Sequence, residues 1–116
     1  MHHKTLKPFP KNFLWGASTS AYQVEGASLT CGKGPSCQDV KVLPSNTSGL
    51  EVCADQYHRY KEDIALMAEM GFKVYRFSIS WARLLPEGTG RVNQEGIDYY
   101  NNLINECLKY DIIPLV

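Results

Sequence analysis

The sequence predicts an α/β fold in which short parallel strands alternate with amphipathic helices. Three observations carry that reading. Apolar runs of strand length stand at residues 13–19, 73–80 and 112–116. Segments with helical period precede the second and third of these runs. A long stretch rich in Gly, Ser, Pro and Asn separates the first run from everything after it. Strands that alternate with helices pair in parallel through right-handed crossovers.

FLWGAST, residues 13–19, is an apolar run bounded by Gly and Ser and is the expected first strand. The polar cluster STSAYQVEGA follows at its carboxyl end. SLTCGKGPSCQDVKVLPSNTSG is an irregular connection, and loops of that length in compact domains are usually functional or mobile. EVCADQYHRYKEDIALMAEMG places Tyr57, Tyr60, Ile64 and Met67 on one helical stripe, and Gly71 supplies the stop. KVYRFSIS is the second strand and LLPEGTGRVN a turn region. Asn93 is the expected N-cap of a helix over about 95–110, which aligns Ile97, Tyr100, Ile104, Cys107 and Leu108. IIPLV is the third strand.

Three strands and two helices leave both sheet edges open. Parallel sheets are normally covered on both faces. The whole of residues 1–116 is therefore expected to be one incomplete domain, the opening three βα units of a (β/α)8 TIM barrel, a fold that takes about 250 residues. IIPLV, with no helix after it, is expected to leave its helix-facing side exposed.

Composition excludes some classes of function. The chain carries 12 basic and 12 acidic residues, so no net charge draws it to nucleic acid or an anionic membrane. No apolar run approaches the roughly 18 residues a bilayer span needs. MHHKTLKPFPKNF lacks the apolar core of a secretion signal, and His2 and His3 are read as inert rather than metal-binding. The spacing of Cys31, Cys37, Cys53 and Cys107 fits no zinc or redox pattern. They are expected to be reduced thiols of a cytoplasmic protein, with a Cys31–Cys37 disulfide as the alternative. No metal and no cofactor is implied.

Arg76 is the residue that does not fit a plain strand. Alternation sends Tyr75, Phe77 and Ile79 toward the helices and Val74, Arg76, Ser78 and Ser80 toward the barrel interior. An unpaired buried guanidinium is costly. The first and third strands contain no carboxylate, and Glu25 is the nearest candidate. The expectation adopted is a partner beyond Val116. Bonding to backbone carbonyls, or exposure on a distorted strand, stays open. Gln23 offers both donor and acceptor groups, suited to sugar hydroxyls. Glu25 is a single carboxylate, weak as an acid–base candidate. Trp81 suits sugar stacking or core packing, Tyr57 and Tyr60 suit packing of helix on sheet, and Asp55 with His58 suits a structural bond rather than a metal.

FLWGASTSAYQVEGA resembles the amino-terminal signature of the family 1 glycoside hydrolases, the β-glucosidases and 6-phospho-β-glucosidases. The resemblance continues through GKGPS, DQYHRYKEDIALMAEMGFKVYRFSISWARLLPEGTG and VNQEGIDYYNNLINECLKYDIIPLV. It implies a (β/α)8 barrel that hydrolyses β-glycosides with retention, using two glutamates about 5–5.5 Å apart. The family carries these in an Asn-Glu-Pro segment and a Glu-Asn-Gly segment. Neither occurs here, so no catalytic residue is assigned in this chain and both glutamates are expected beyond Val116. By position, Gln23 matches the family's glycone-binding glutamine, and Arg76 matches the arginine that bonds the nucleophile and favours its ionised form. SLTC and QYH depart from the usual family residues, which bears on loop conformation and aglycone contacts. PSCQDVK resembles the loop of the phospho-glycosidase branch. The expected substrate is thus a small-molecule β-glucoside phosphorylated at the 6-position, with an unphosphorylated glucoside as the alternative. A non-catalytic half-barrel that binds sugar or self-assembles is the reading outside enzymology. The isolated chain is expected to be inactive.

Overall fold

The structure is a computed structural model and describes residues 5–116. His2 and His3 lie outside the described residues.

Three strands, β1 (Gly16–Ser18), β2 (Val74–Arg76) and β3 (Ile113–Leu115), form one parallel sheet in the order β1-β2-β3. Four helices accompany them: α1 (Ala21–Val24), α2 (Gln56–Glu69), α3 (Trp81–Leu84) and α4 (Gln94–Lys109). The long helices α2 and α4 are the two read from sequence. The single turns α1 and α3 are additions, each standing just past the carboxyl end of a strand. The strands are shorter than their apolar runs, but backbone bonding extends past them. Trp15 O accepts from Lys73 N at 2.7 Å, Arg76 O from Thr19 N at 3.0 Å, and Leu115 O from Phe77 N at 3.0 Å.

The stop and start signals act partly as expected. Gly71 takes the left-handed conformation, φ 82°, and closes α2 by bonding Ala68 O. Asn93 stands at the N-cap position of α4 without capping it. Its Nδ2 donates instead to Cys31 O (2.8 Å) and Arg83 O (2.9 Å), fastening the long connection to α3. Asp55 precedes α2 in a left-handed conformation, and its carboxylate bonds His58 Nδ1 at 2.6 Å.

The core lies between the sheet and the two long helices. Ile64, Tyr75, Phe77, Tyr99, Tyr100, Leu103, Cys107 and Ile112 are buried together. The α2 stripe is as expected, with Ile64 buried and Tyr57, Tyr60 and Met67 packed on the cluster. Within that cluster Tyr57 and Tyr60 meet Tyr99 of α4, with ring centroids 4.6 and 5.9 Å away. The α4 stripe is rotated from the expected one. Tyr99 and Leu103 join Tyr100 and Cys107, Ile97 and Ile104 lie at the margin, and Leu108 is exposed. Gly96 explains the rotation. A Cβ there would come within 2.5 Å of Arg83 O, so α4 seats its glycine face, continuing through Tyr99, Tyr100, Leu103 and Cys107, against α3 and the sheet.

The two faces of the sheet differ sharply. Residues paired in register share a face, so Val74, Arg76, Ile113 and Leu115 point away from the helices while Tyr75 and Pro114 point toward them. Tyr75 and Phe77 are fully buried, whereas Arg76, Ile113 and Leu115 are exposed. The predicted alternation therefore holds through Phe77. It fails at Ile79, which lies past the strand and is exposed. The exposure expected on the helix side of the third strand is found on its other side, because α4 reaches Ile112 and Pro114. The radius of gyration is 17.4 Å, against about 13 Å for a compact domain of this length.

Candidate functional site

Parallel α/β sheets present their chemistry at the carboxyl ends of the strands. Here that end carries Arg76 as the last residue of β2, the one-turn helix α1 with Gln23, and the one-turn helix α3 opening on Trp81. Arg76 lies on the open face, exposed, and no side chain among the described residues bonds it. Its expected burial in a barrel interior is not realised among the described residues, none of which covers that face. Gln23 is exposed as well; its backbone N–H bonds Ser20 O at 2.9 Å, and its side chain is uncommitted among the described residues. The structure puts the two residues at the same end of the sheet without joining them.

Glu25 is not the partner of Arg76. It is buried and paired with Arg83, a residue the sequence reading passed over. Arg83 Nε donates to Glu25 Oε2 at 2.8 Å and Arg83 Nη2 to Gly26 O at 3.0 Å. The Arg83 guanidinium also lies 4.4 Å from the Tyr57 ring centre, a cation–π contact. Tyr100 Oη donates to the other oxygen, Glu25 Oε1, at 2.5 Å, and accepts from Ser80 N–H at 2.7 Å. Burial, and then the charge of Glu25, push the Tyr100 phenol well above its ordinary range. The same two causes act on Tyr99, whose hydroxyl is buried without a partner among the described residues. Burial also raises Tyr57, to about 12. The sequence signal for Arg83 was its place in the apolar run SWARLLP. Its partner stands 58 positions earlier, where no local pattern reaches.

A second hydroxyl network ties β1 to α2. The Tyr75 hydroxyl accepts from Gln56 Nε2 at 2.8 Å and lies 2.6 Å from Thr19 Oγ1. Ser78 Oγ accepts the backbone N–H of Ala21 at 2.8 Å, holding α1 against the end of β2. Trp81 is exposed and not part of the core, with its indole N–H on Gly88 O at 2.9 Å. It lines an open groove of about 360 Å³ with Tyr22, Pro35, Ile79, Leu85 and Pro86. The long connection is pinned near this end by Lys33, whose Nζ lies 2.9 Å from Asp39 Oδ2. Burial alone would raise the Asp39 pKa, but bonds from Ser36 and Lys33 hold it below the usual carboxylate value. All four cysteines are free thiols. Among the described residues, no cluster of His, Cys, Asp and Glu could hold a metal, and no helix is long and apolar enough to cross a membrane.

Comparison with known proteins accounts for this arrangement. Residues 5–116 match the family described as Glycosyl hydrolase family 1. A chloroplastic 4-hydroxy-7-methoxy-3-oxo-3,4-dihydro-2H-1,4-benzoxazin-2-yl glucoside β-D-glucosidase of Triticum aestivum is 56% identical over 114 residues, covering 93% of this chain and 20% of that protein. An aryl-phospho-β-D-glucosidase of Bacillus subtilis is 49% identical over 120 residues, covering all of this chain and 25% of that protein. Among solved structures, an aphid myrosinase superposes with a TM-score of 0.89 at 46% identity, over 93% of this chain and 25% of that one. A family 1 β-glucosidase from Thermotoga maritima does so with a TM-score of 0.87 at 47% identity, over 94% of this chain and 26% of that one. The chain thus spans a fifth to a quarter of the length of these relatives. Its three parallel strands are the opening part of the (β/α)8 barrel, and the chain belongs to glycosyl hydrolase family 1.

Proposed function

We propose that residues 1–116 are the amino-terminal portion of a single barrel domain in a retaining β-glycosidase acting on β-glucosides phosphorylated at the 6-position. The observation that supports the glycosidase reading is the exposed pair Gln23 and Arg76 at the carboxyl end of the sheet, the two positions to which the sequence resemblance assigns family site roles. In this reading Gln23 binds glycone hydroxyls, and Arg76 holds the nucleophilic glutamate ionised. Both catalytic glutamates belong to later strands, so the chain by itself turns nothing over. The phosphate preference rests on PSCQDVK and on the aryl-phospho-β-D-glucosidase relative that aligns with the entire chain. Sugars phosphorylated during uptake would place the enzyme in the cytoplasm.

A second reading has its own support. The wheat β-D-glucosidase is the more similar of the two relatives at 56% identity, which favours an unphosphorylated glucoside. The deciding assay compares p-nitrophenyl β-glucoside 6-phosphate with p-nitrophenyl β-glucoside on the complete polypeptide. Faster hydrolysis of the phosphorylated substrate is expected. The opposite preference establishes the second reading, and enzyme-like turnover by the 116-residue chain alone contradicts the assignment of both glutamates to later strands.

A further inference from the structure

The structure assigns Glu25 a role as positioning residue: through its bonds to Arg83 and Tyr100, it fixes the turn that carries Gln23. The inference rests on the proposed glycone-binding role of Gln23 and adds a residue that acts through it.

The geometry is specific. Glu25 ends the single turn α1, and its N–H bonds Ala21 O at 3.0 Å. Four residues of hydrogen-bonded turn cannot hold themselves in water, since helices of that length do not form alone. Something else must fix α1, and every contact that does so comes from elsewhere in the chain. Ser78 Oγ takes the N–H of Ala21, and Glu25 O takes the N–H of Tyr57 from the start of α2. The carboxylate of Glu25 then accepts Arg83 from α3 and Tyr100 from α4, one on each oxygen. Tyr100 in turn accepts the N–H of Ser80, at the start of α3. One buried carboxylate therefore joins three elements at the carboxyl end of the sheet, two residues beyond Gln23. The pair is fully withdrawn from solvent, with side-chain exposures of 0% for Arg83 and 4% for Glu25. Such a pair contributes little net stability compared with an apolar pair of the same shape. A positioning role gives the charges something that apolar packing would not supply, namely fixed directions for two donors and one acceptor.

The test is a double-mutant cycle in the complete polypeptide, read as kcat/KM on the preferred p-nitrophenyl glycoside. Glu25→Gln keeps the shape but cannot accept equally well from both Arg83 and Tyr100. In the otherwise native protein it is expected to lower kcat/KM about 10²-fold, the scale of a displacement near 1 Å in a binding group. In a Gln23→Ala background the same change is expected to cost less than about twofold, because the group it positions is gone. Glu25→Asp in combination with native Gln23 should recover part of the loss. Additive costs in the two backgrounds overturn the inference and leave Glu25 a purely structural residue. If Glu25→Gln does not accumulate as folded protein, the double replacement Glu25→Leu with Arg83→Met, which leaves no buried charge, enters the cycle in its place. It is expected to fold, to lose kcat/KM with Gln23 present, and to lose nothing further with Gln23→Ala; native kcat/KM in that variant overturns the inference. Complete absence of β-glucoside hydrolysis by the native polypeptide overturns the proposed function itself, a result distinct from additivity in an active enzyme.

Discussion

Two arginines seven positions apart in one segment meet opposite fates. Arg76 ends β2 on the face turned from the helices, exposed and without a side-chain partner among the described residues. Arg83 opens away from the strand in α3 and is wholly buried, held by Glu25, Gly26 O and the ring of Tyr57. The strand's alternation decides the first. The packing of α4 beneath α3, permitted by Gly96, decides the second. A cation at the end of a half-covered sheet is available for a partner, whereas a cation under a helix must bring its partner with it. The same residue type is thus left open to a partner in one place and built into the scaffold in the other.

Breaking the scaffold side should have the largest effect on stability. Arg83→Leu leaves the Glu25 carboxylate buried and uncompensated, and should cost about 3–5 kcal/mol in urea denaturation. Ile64→Ala, at a fully buried core position, should cost about 3 kcal/mol in the same measurement. Gly96→Ala, which drives a methyl group into Arg83 O, should cost about 1–3 kcal/mol and loosen α3 along with Arg83. The two adjacent tyrosines sharpen the contrast on a finer scale. Tyr100→Phe removes a bond to a charged group and should cost about 1.5–3 kcal/mol, whereas Tyr99→Phe removes a partnerless hydroxyl and should be neutral or stabilising. In the 116-residue chain, where Arg76 is exposed, Arg76→Ala should leave the unfolding midpoint where it is, the reverse of the Arg83 outcome; on the proposed function it should abolish most hydrolysis by the complete polypeptide.

Alkali provides a further test. Tyr57 is raised to about 12, and Tyr75, Tyr99 and Tyr100 are raised as well, all chiefly by burial. A folded-state pKa above the unfolded value near 10 means that stability is intact below pH 10 and falls as pH climbs toward 12 and beyond. Urea midpoints across that window should decline. Tyr99→Phe should flatten the decline, since one raised phenol is removed.

Much of the architecture was legible because it is written locally. The period of Tyr57, Tyr60, Ile64 and Met67, the stop at Gly71 and the alternation around Arg76 all act over a few residues, and the structure follows them. What escaped the reading depends on distant chain segments. The tilt of α4 follows from a contact between Gly96 and Arg83 O, so Tyr99 and Leu103 replaced Leu108 in the core. Asn93 sits where a cap was expected, yet its amide serves the carbonyl of Cys31, 62 positions away. The Glu25–Arg83 pair joins residues 58 apart, and neither has a neighbouring signature. Arg76 stood out as a cation in a strand and Gln23 as a polar residue beyond one; only their family roles came by resemblance, and their placement at the sheet's carboxyl end is what the geometry of this chain adds.

The long connection between α1 and α2 carries a consequence for proteases. Its first half is stapled: Gly34 N–H bonds Ala82 O at 2.9 Å, Cys31 O is taken by Asn93, and Lys33 grips Asp39. Beyond Asp39, the side chains from Val40 to Ser48 stand in solvent, with Val42 at 97% exposure. Trypsin, which cleaves after lysine, should therefore cut at Lys41 well before Lys33. The nicked halves should stay associated, because the staples and the core all lie outside the severed stretch.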